Sequence, residues 1–542
     1  MTVEPYMKLI VFSHDMKAPH LLILILIVGF VVRLNHISAP LADWHSWRQA
    51  DTAAVTRNFF RFGLDPLHPR YDDLSNVQSG QDNPMGYRMV EFPVYNILSY
   101  YSHLLLRPFV SSLETSHRVV SILSSVMSMY LLYLLGKRYA NERVGLFAAF
   151  FFAVMPYSIY YSRVLLPEPL LVFFSIGMVW FYSQWIDTIS KRKNQKEKIP
   201  IKNHTYLLFT ILFGASALLI KPIAVFYLIP LVYLIFQQKM YSWRFVLLFL
   251  CSFVLLIIPF LLWRKWIQQF PEGVPAWQWL FNGKNLVLDK PWYSFESIER
   301  LIQFAFGYDP SGIRYRPAFF RWLLWERLVK LILGYGGILF IISGGIALLT
   351  KLTSKQLLFL IWGIAMVLYA VVFAQGNIQH DYYQVIMLPV IALWMGVGAD
   401  YLFVRMQSVV PPVVTLAGIA AITYTMIWVS WEQVKGYYWI NNPAIIEAGK
   451  AADRLLPPDA KVIAPYGGDT AFLYQTNRQG WPVGFEIEEK AKKGATHYVN
   501  INIDDGETKY VMEKFTVIEE TDTYVIVELT NPTNYQSLRI YE

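Results

Sequence analysis

Apolar runs of about twenty residues recur from residue 18 to residue 430, each long enough to cross the roughly 30 Å hydrocarbon core of a bilayer. They fall at residues 18–36, 118–136, 143–161, 167–186, 205–220, 223–237, 244–262, 328–350, 356–374, 383–403 and 411–430. The pattern predicts a polytopic α-helical membrane protein with about eleven transmembrane helices. Across its 542 residues, 55% are hydrophobic and only 16% charged, with the charges gathered between the apolar runs. The net charge of +8 is that of a membrane protein whose lysines and arginines fix topology, which argues against nucleic-acid binding. Lone Cys251 leaves no disulfide framework or cysteine metal site.

The charges of the connections orient the chain. With Lys8 and Lys17 before an uncleaved first span, the inner loops carry Lys137, Arg138 and Arg143, the basic run from Lys191 to Lys202, Lys239 and Arg244, Lys351 and Lys355, and Arg405. The short outer loops hold only Arg163 and Lys221, so the positive-inside rule selects this orientation. An odd number of spans puts the C-terminus outside. The apolar stretch 91–110 would invert everything downstream if it crossed. It is expected instead as an amphipathic helix in the outer interface, with Tyr95, Tyr100, Tyr101, His103 and Arg107 at headgroup level.

The transmembrane domain, residues 1–430, therefore carries two large outer segments. The first, 37–117, is too long for a simple connection and is expected to fold. The second, 263–327, interleaves Trp263, Trp266, Trp277, Trp279, Trp292, Trp322 and Trp325 with Arg300, Arg314, Arg316, Arg321 and Arg327, which suits an interface beside anionic headgroups. From 435 to 542 the composition is that of a soluble domain: helical spacing over 444–456, strand patterns at 461–465 and 497–501, and a hairpin over 515–529.

This topology sets Asp43, Asp51, Glu168, Lys221, His380 and Asp381 at the outer ends of spans, on one membrane face. Ionisable groups at a membrane edge are costly to bury and mark functional sites. Asp43 and Asp51 lie eight residues apart, so on one helix both carboxylates face the same way, although Asp43 alone also reads as a helix cap. Glu168 stands between Pro167 and Pro169, and also reads as an acid at a helix N-terminus. His380 lies in a loop rich in hydrogen-bonding groups, a setting for a phosphate oxygen, while Tyr382 and Tyr383 read equally as interfacial belt residues. Any metal here would take oxygen ligands.

Several stretches in order resemble the GT-C membrane glycosyltransferases, in particular the glycosyltransferase family 39 group of protein O-mannosyltransferases and lipid A aminoarabinose transferases. They are Asp43; Glu91-Phe92-Pro93-Val94-Tyr95; Arg118 leading to Tyr133-Leu134-Leu135-Gly136-Lys137-Arg138; Arg163 to Glu168; Lys221-Pro222; and His380-Asp381-Tyr382-Tyr383. The resemblance covers about residues 20 to 400. It implies a GT-C fold and transfer of a sugar from a polyprenyl-phosphate donor to an extracytoplasmic lipid, glycan or protein, in the cell membrane. It also implies Asp43 as general base, assisted by Glu168 or by a divalent metal (Mg or Mn) held at Asp43 and Glu168, with Asp51 as the nearest second acid. Where the aminoarabinose transferases have Lys-Pro-Pro this chain has Glu91-Phe92-Pro93, so the donor phosphate is assigned to Arg48, Lys221, His380, Tyr383, Arg314 and Arg316. The competing readings are a transporter or flippase for lipid-linked sugars and an oligosaccharide transferase using a lipid diphosphate.

Overall fold

The computed structural model describes residues 18–195, 201–240, 243–282, 294–307, 312–350 and 353–532. Trp292, Lys196, Lys198 and Lys351 lie outside them. Every apolar run becomes helical, but length alone qualifies fewer of them as spans. Five helices are long and apolar enough to cross a membrane: Leu113–Tyr139, Glu168–Ser190, Phe245–Gln269, Asp381–Met406 and Pro412–Leu455. Pro317–Ile332 and Gly337–Thr350, bent by 113°, make a sixth if they form one span. Ala18–Val32, His204–Ile220, Pro222–Gln237 and Leu357–Val372 are shorter apolar helices.

One expected span is broken for a legible reason. The run 143–161 divides at Met155, where Pro156 has no N–H to give the carbonyl of Phe152. Buried Arg33 repairs the ladder. Its Nη2 donates to the Phe152 oxygen at 3.0 Å and its Nη1 to that of Ala153 at 2.9 Å, while Ser158 Oγ donates to Phe152 at 2.8 Å. A charge in the apolar core is thereby tied to carbonyls that would otherwise be orphaned.

The stretch after residue 91 forms a helix, Val94–Leu106, lying against Leu113–Tyr139. Leu98, Tyr101, Leu105 and Phe109 are exposed at helical spacing, as an interfacial helix requires. Tyr95 departs from the expectation: it is buried, with its hydroxyl bonded to the carbonyl of His117 and to Ser121, so it belongs to the core rather than to a headgroup layer.

The C-terminal part is a five-stranded sheet flanked by helices. Strands β1 (Lys461–Ile463), β2 (Gln479–Trp481), β3 (His497–Asn500), β4 (Phe515–Glu520) and β5 (Val525–Pro532) lie in the order β2-β1-β3-β5-β4. β1 pairs in parallel with β2 and β3, and β5 is antiparallel to β3 and β4. The helix at 443–455 and the terminal hairpin fall where the pattern put them. β2, only Gln-Gly-Trp, is too short for any periodicity to reveal. The segment 37–117 docks onto this unit: Asp73 bridges Gly480 of β2, and Leu74 packs with Ile463, Trp481 and Val527.

Candidate functional site

The site is built around helix Ser46–Phe62, which starts only after His45 turns the chain at φ 55°. Asp43 therefore precedes the helix and Asp51 lies on it, so the two carboxylates do not share a helical face. Asp43 is fully buried. Its Oδ2 accepts from Arg163 Nη2 at 2.6 Å and its Oδ1 from Gln49 Nε2 at 2.7 Å. Asp51 accepts from Arg88 at 2.9 Å, Gln78 at 3.2 Å and Thr470 Oγ1 at 2.7 Å.

One turn before Asp51, Arg48 reaches a cavity of about 570 Å³. Arg88, Lys221 and Arg264 also line it, and Glu91 is the carboxylate in its wall. The remaining wall is largely apolar or aromatic, with Phe260, Trp277, Leu280, Phe281 and Leu301. Arg48 donates to Glu91 Oε1 at 2.5 Å. Lys221 pairs with Glu168 and stands 5.2 Å from the ring centres of both Tyr382 and Tyr383. The buried Oε2 atoms of Glu91 and Glu168 have no hydrogen-bond partner among the described residues. Burial by itself would raise Glu91, but Arg48, with Lys221 and Arg88, outweighs it and holds the carboxylate below its ordinary value. Arg264 makes no ion pair with any described residue; its guanidinium sits 5.7 Å from the Trp277 ring centre.

Of the residues singled out from the sequence, Arg48, Lys221 and Tyr383 line this cavity, and Glu168 adjoins it through Lys221. His380 is stacked on Tyr382 at 5.2 Å, beside Trp47 and Trp279. Burial pushes its imidazole down to about 4, so it is neutral near pH 7 and adds no cation. Arg314 is buried in the turn Ile313–Tyr315, which packs on Ala374–Gln379, and Arg316 is exposed; neither lines the cavity. Asp381 gathers several elements together. Its carboxylate accepts from Tyr161, Tyr437, Trp44 and His45, the last at 2.7 Å, with Arg327 at 3.5 Å.

The arrangement does not suit a resident divalent metal at Asp43 and Glu168. Arg163 neutralises the first and Lys221 the second, and no cluster of three His, Cys, Asp or Glu suited to a metal occurs among the described residues.

Sequence reasoning missed Arg88 and Arg264, and Glu91 as an acid of the site. Arg264 carried a signal, a cation at the outer end of the apolar run 244–262. Glu91 stands in the segment where the resembled enzymes carry a lysine.

Comparison with known proteins agrees with this fold. Residues 99–263 match the family model described as dolichyl-phosphate-mannose-protein mannosyltransferase. No curated protein sequence matches the chain. ArnT from Cupriavidus metallidurans bound to undecaprenyl phosphate is similar in structure with a TM-score of 0.63 at 14% identity, covering 94% of this chain and 98% of that one. The Archaeoglobus fulgidus oligosaccharyltransferase in its apo form gives 0.57 at 12% identity, over 93% of this chain and 73% of that one. AglB from the same organism, in complex with an inhibitory peptide and a dolichol-phosphate, gives 0.54 at 11%, over 96% and 74%. The protein is a GT-C-fold membrane protein. More particularly, segment 99–263 is similar to the dolichyl-phosphate-mannose-protein mannosyltransferase model, within the stretch where the ordered motifs suggested such a resemblance.

Proposed function

We propose that this protein is an inverting glycosyltransferase that moves a sugar from a polyprenyl-phosphate donor to an acceptor on the extracytoplasmic face. The observation that carries the reading is Arg264, a cation without a carboxylate partner among the described residues, facing an apolar-walled cavity at the end of a membrane helix. An unpaired cation in such surroundings is costly until an anion joins it. A phosphate on a lipid supplies the anion, and its prenyl chain continues along helix Trp243–Trp266, whose Leu247, Leu250, Val254 and Leu262 are exposed. ArnT, similar over nearly its whole length, was solved with such a lipid.

The chemistry follows from the groups present. The acceptor hydroxyl attacks the anomeric carbon and gives its proton to Glu91, whose free Oε2 lies at the cavity wall and whose lowered pKa keeps it ionised. The bond from that carbon to the phosphate oxygen breaks, and the electron pair leaves on the phosphate, where Arg264, Lys221 and Arg88 stabilise the developing charge. Attack opposite the leaving group inverts the anomeric centre. Glu168 holds Lys221, and Asp43 with Arg163 braces the loop before helix Ser46–Phe62. A flippase would instead place its charges near the midplane of repeated halves.

The test is binding of undecaprenyl phosphate to the purified protein by native mass spectrometry. Arg264→Ala should weaken binding at least tenfold, and wild-type affinity in that variant would remove the main support for the reading.

A further inference from the structure

The C-terminal sheet presents a second feature that transfer at the cavity leaves unexplained. Its three parallel strands run β2-β1-β3, and the connections after β1 and β3 depart to opposite faces. Helix Thr470–Gln475, after β1, packs with Ala448, Val462 and Ile526, whereas Ile487 and Val511, from the helices after β2 and β3, pack with Ile463 and Trp481. Ligands of open α/β sheets bind at the carboxyl ends of the strands where connections diverge in this way.

Here that edge abuts the cavity wall. Thr470 Oγ1 donates to the carbonyl of Trp47 at 3.1 Å and to Asp51 at 2.7 Å, and Gly468 lies against Val77; Trp47 and Val77 both line the cavity. The loops after the three strands, 464–469, 482–486 and 501–505, are joined to one another. The N–H groups of Tyr466 and Gly468 both donate to the Pro482 carbonyl at 3.0 Å, and Glu507 accepts the N–H of Phe485.

On this rim Phe485 is held outward, 78% exposed. Phe485 and Glu486 are consecutive non-glycine residues in the left-handed region, at φ 62° and 50°. Each costs of order 1 kcal/mol or more and persists only where its surroundings enforce it. They do so here: buried Lys490 donates to the carbonyls of Gly484, at 2.7 Å, and Phe485, while Glu507 grips the loop from the other side. An apolar ring is thus fixed in water at a structural cost. The same three loops contain Tyr466, Asp469, Glu486, Asn502, Asp504 and Asp505 but no lysine or arginine. An aromatic face beside acceptors and donors for hydroxyls, its adjoining lysine, Lys490, buried and spent on the carbonyls of Gly484 and Phe485, suits a neutral polyhydroxy ring. It does not suit an anionic acceptor, and a single ring is too little apolar surface for a membrane.

We propose that the rim at the carboxyl ends of β1, β2 and β3 is an acceptor subsite for a neutral glycan, which stacks on Phe485 and offers a hydroxyl to the cavity. The inference rests on the glycosyltransferase reading and names its acceptor class. Full-length protein in phosphatidylcholine–phosphatidylglycerol nanodiscs is presented with an array of neutral oligosaccharides (mannohexaose, maltohexaose, chitohexaose), oligogalacturonates and unglycosylated Ser/Thr peptides. Undecaprenyl phosphate binding is measured on the same samples. A neutral oligosaccharide should bind in preference to the other two classes. Phe485→Ala and Asp469→Asn should weaken it at least tenfold, and Phe485→Trp should retain it, with undecaprenyl phosphate binding unchanged in all three. Preference for the anionic glycans or peptides, no binding of the neutral panel, or undiminished binding by Phe485→Ala overturns the subsite. Loss of undecaprenyl phosphate binding by the wild type would instead strike at the glycosyltransferase reading itself.

Discussion

Replacing Asp43 by asparagine separates a structural carboxylate from a catalytic one. Asp43 and Arg163 are both fully buried and 2.6 Å apart. The Arg163 guanidinium also donates to the His36 carbonyl at 3.1 Å and stacks 4.6 Å from the Tyr438 ring centre, so it cannot swing out to water when its partner is neutralised. Asparagine keeps an oxygen for Gln49 and removes the charge. Leaving one member of a buried pair uncompensated costs about 3–5 kcal/mol. Asp43→Asn should therefore unfold several degrees below wild type in nanodiscs. The double variant Asp43→Leu/Arg163→Met, with no charge left to bury, should be more stable than Asp43→Asn. Glu91→Gln also neutralises the ion-pair partner of Arg48, but Arg48 lines the cavity, the Asp51 and Glu168 carboxylates still act on it, and the amide oxygen still accepts from its guanidinium. It should lose less stability and yet slow transfer by about 10²–10⁴-fold, the usual contribution of a general base. An Asp43→Asn protein that melts like wild type but transfers no sugar, beside an active Glu91→Gln, would refute the assignment and return the base to Asp43.

Other consequences can be measured separately. Lys221→Met should leave Glu168 as an unpaired buried carboxylate, lowering both thermal stability and donor affinity; Lys221→Met/Glu168→Leu should recover the stability but not the affinity, as shown by melting and native mass spectrometry. Asp73 is pushed up to about 6, mainly by burial, from an ordinary 3.8. A raised carboxyl favours folding only while protonated, so its contribution is full below pH 3.8 and falls away as pH rises to about 6, a loss on the order of 3 kcal/mol. Asp73→Asn should consequently flatten that part of the pH–stability profile. Gly145→Ala would drive a Cβ into the backbone oxygen of Tyr133, so helices Leu113–Tyr139 and Glu142–Val154 must separate; the variant should melt several degrees lower with its donor affinity per folded molecule unchanged.

What the sequence disclosed depended on how local its cause was. Hydropathy marked the apolar helices of the membrane part but not the polar helix Ser46–Phe62, and alternation marked the hairpin of β4 and β5, because burial of one face writes a period into the residues themselves. The break at Met155 was visible only as Pro156, since its repair comes from Arg33, over a hundred residues earlier. Lys221, Arg48 and Tyr383 were legible as polar groups at the edge of apolar runs. The pairing of Asp43 with Arg163 was not, because both stand on the same membrane edge and nothing in their spacing tells which acid meets which base. Glu91 was read as a missing lysine, when it joins Arg48 in the cavity wall. Phe485 looked like any loop residue, since its exposure is set by Lys490 and Glu507.

The central claim is that a lipid monophosphate gives up its sugar in this cavity. Purified protein incubated with polyprenyl-phosphate-linked sugars and an envelope fraction, with the released lipid analysed by mass spectrometry, tests it most directly. The account predicts polyprenyl monophosphate appearing in step with glycosylated product for the wild type, and neither for Arg264→Ala. Release of a diphosphate, or movement of intact donor across vesicles with no product formed, would contradict it.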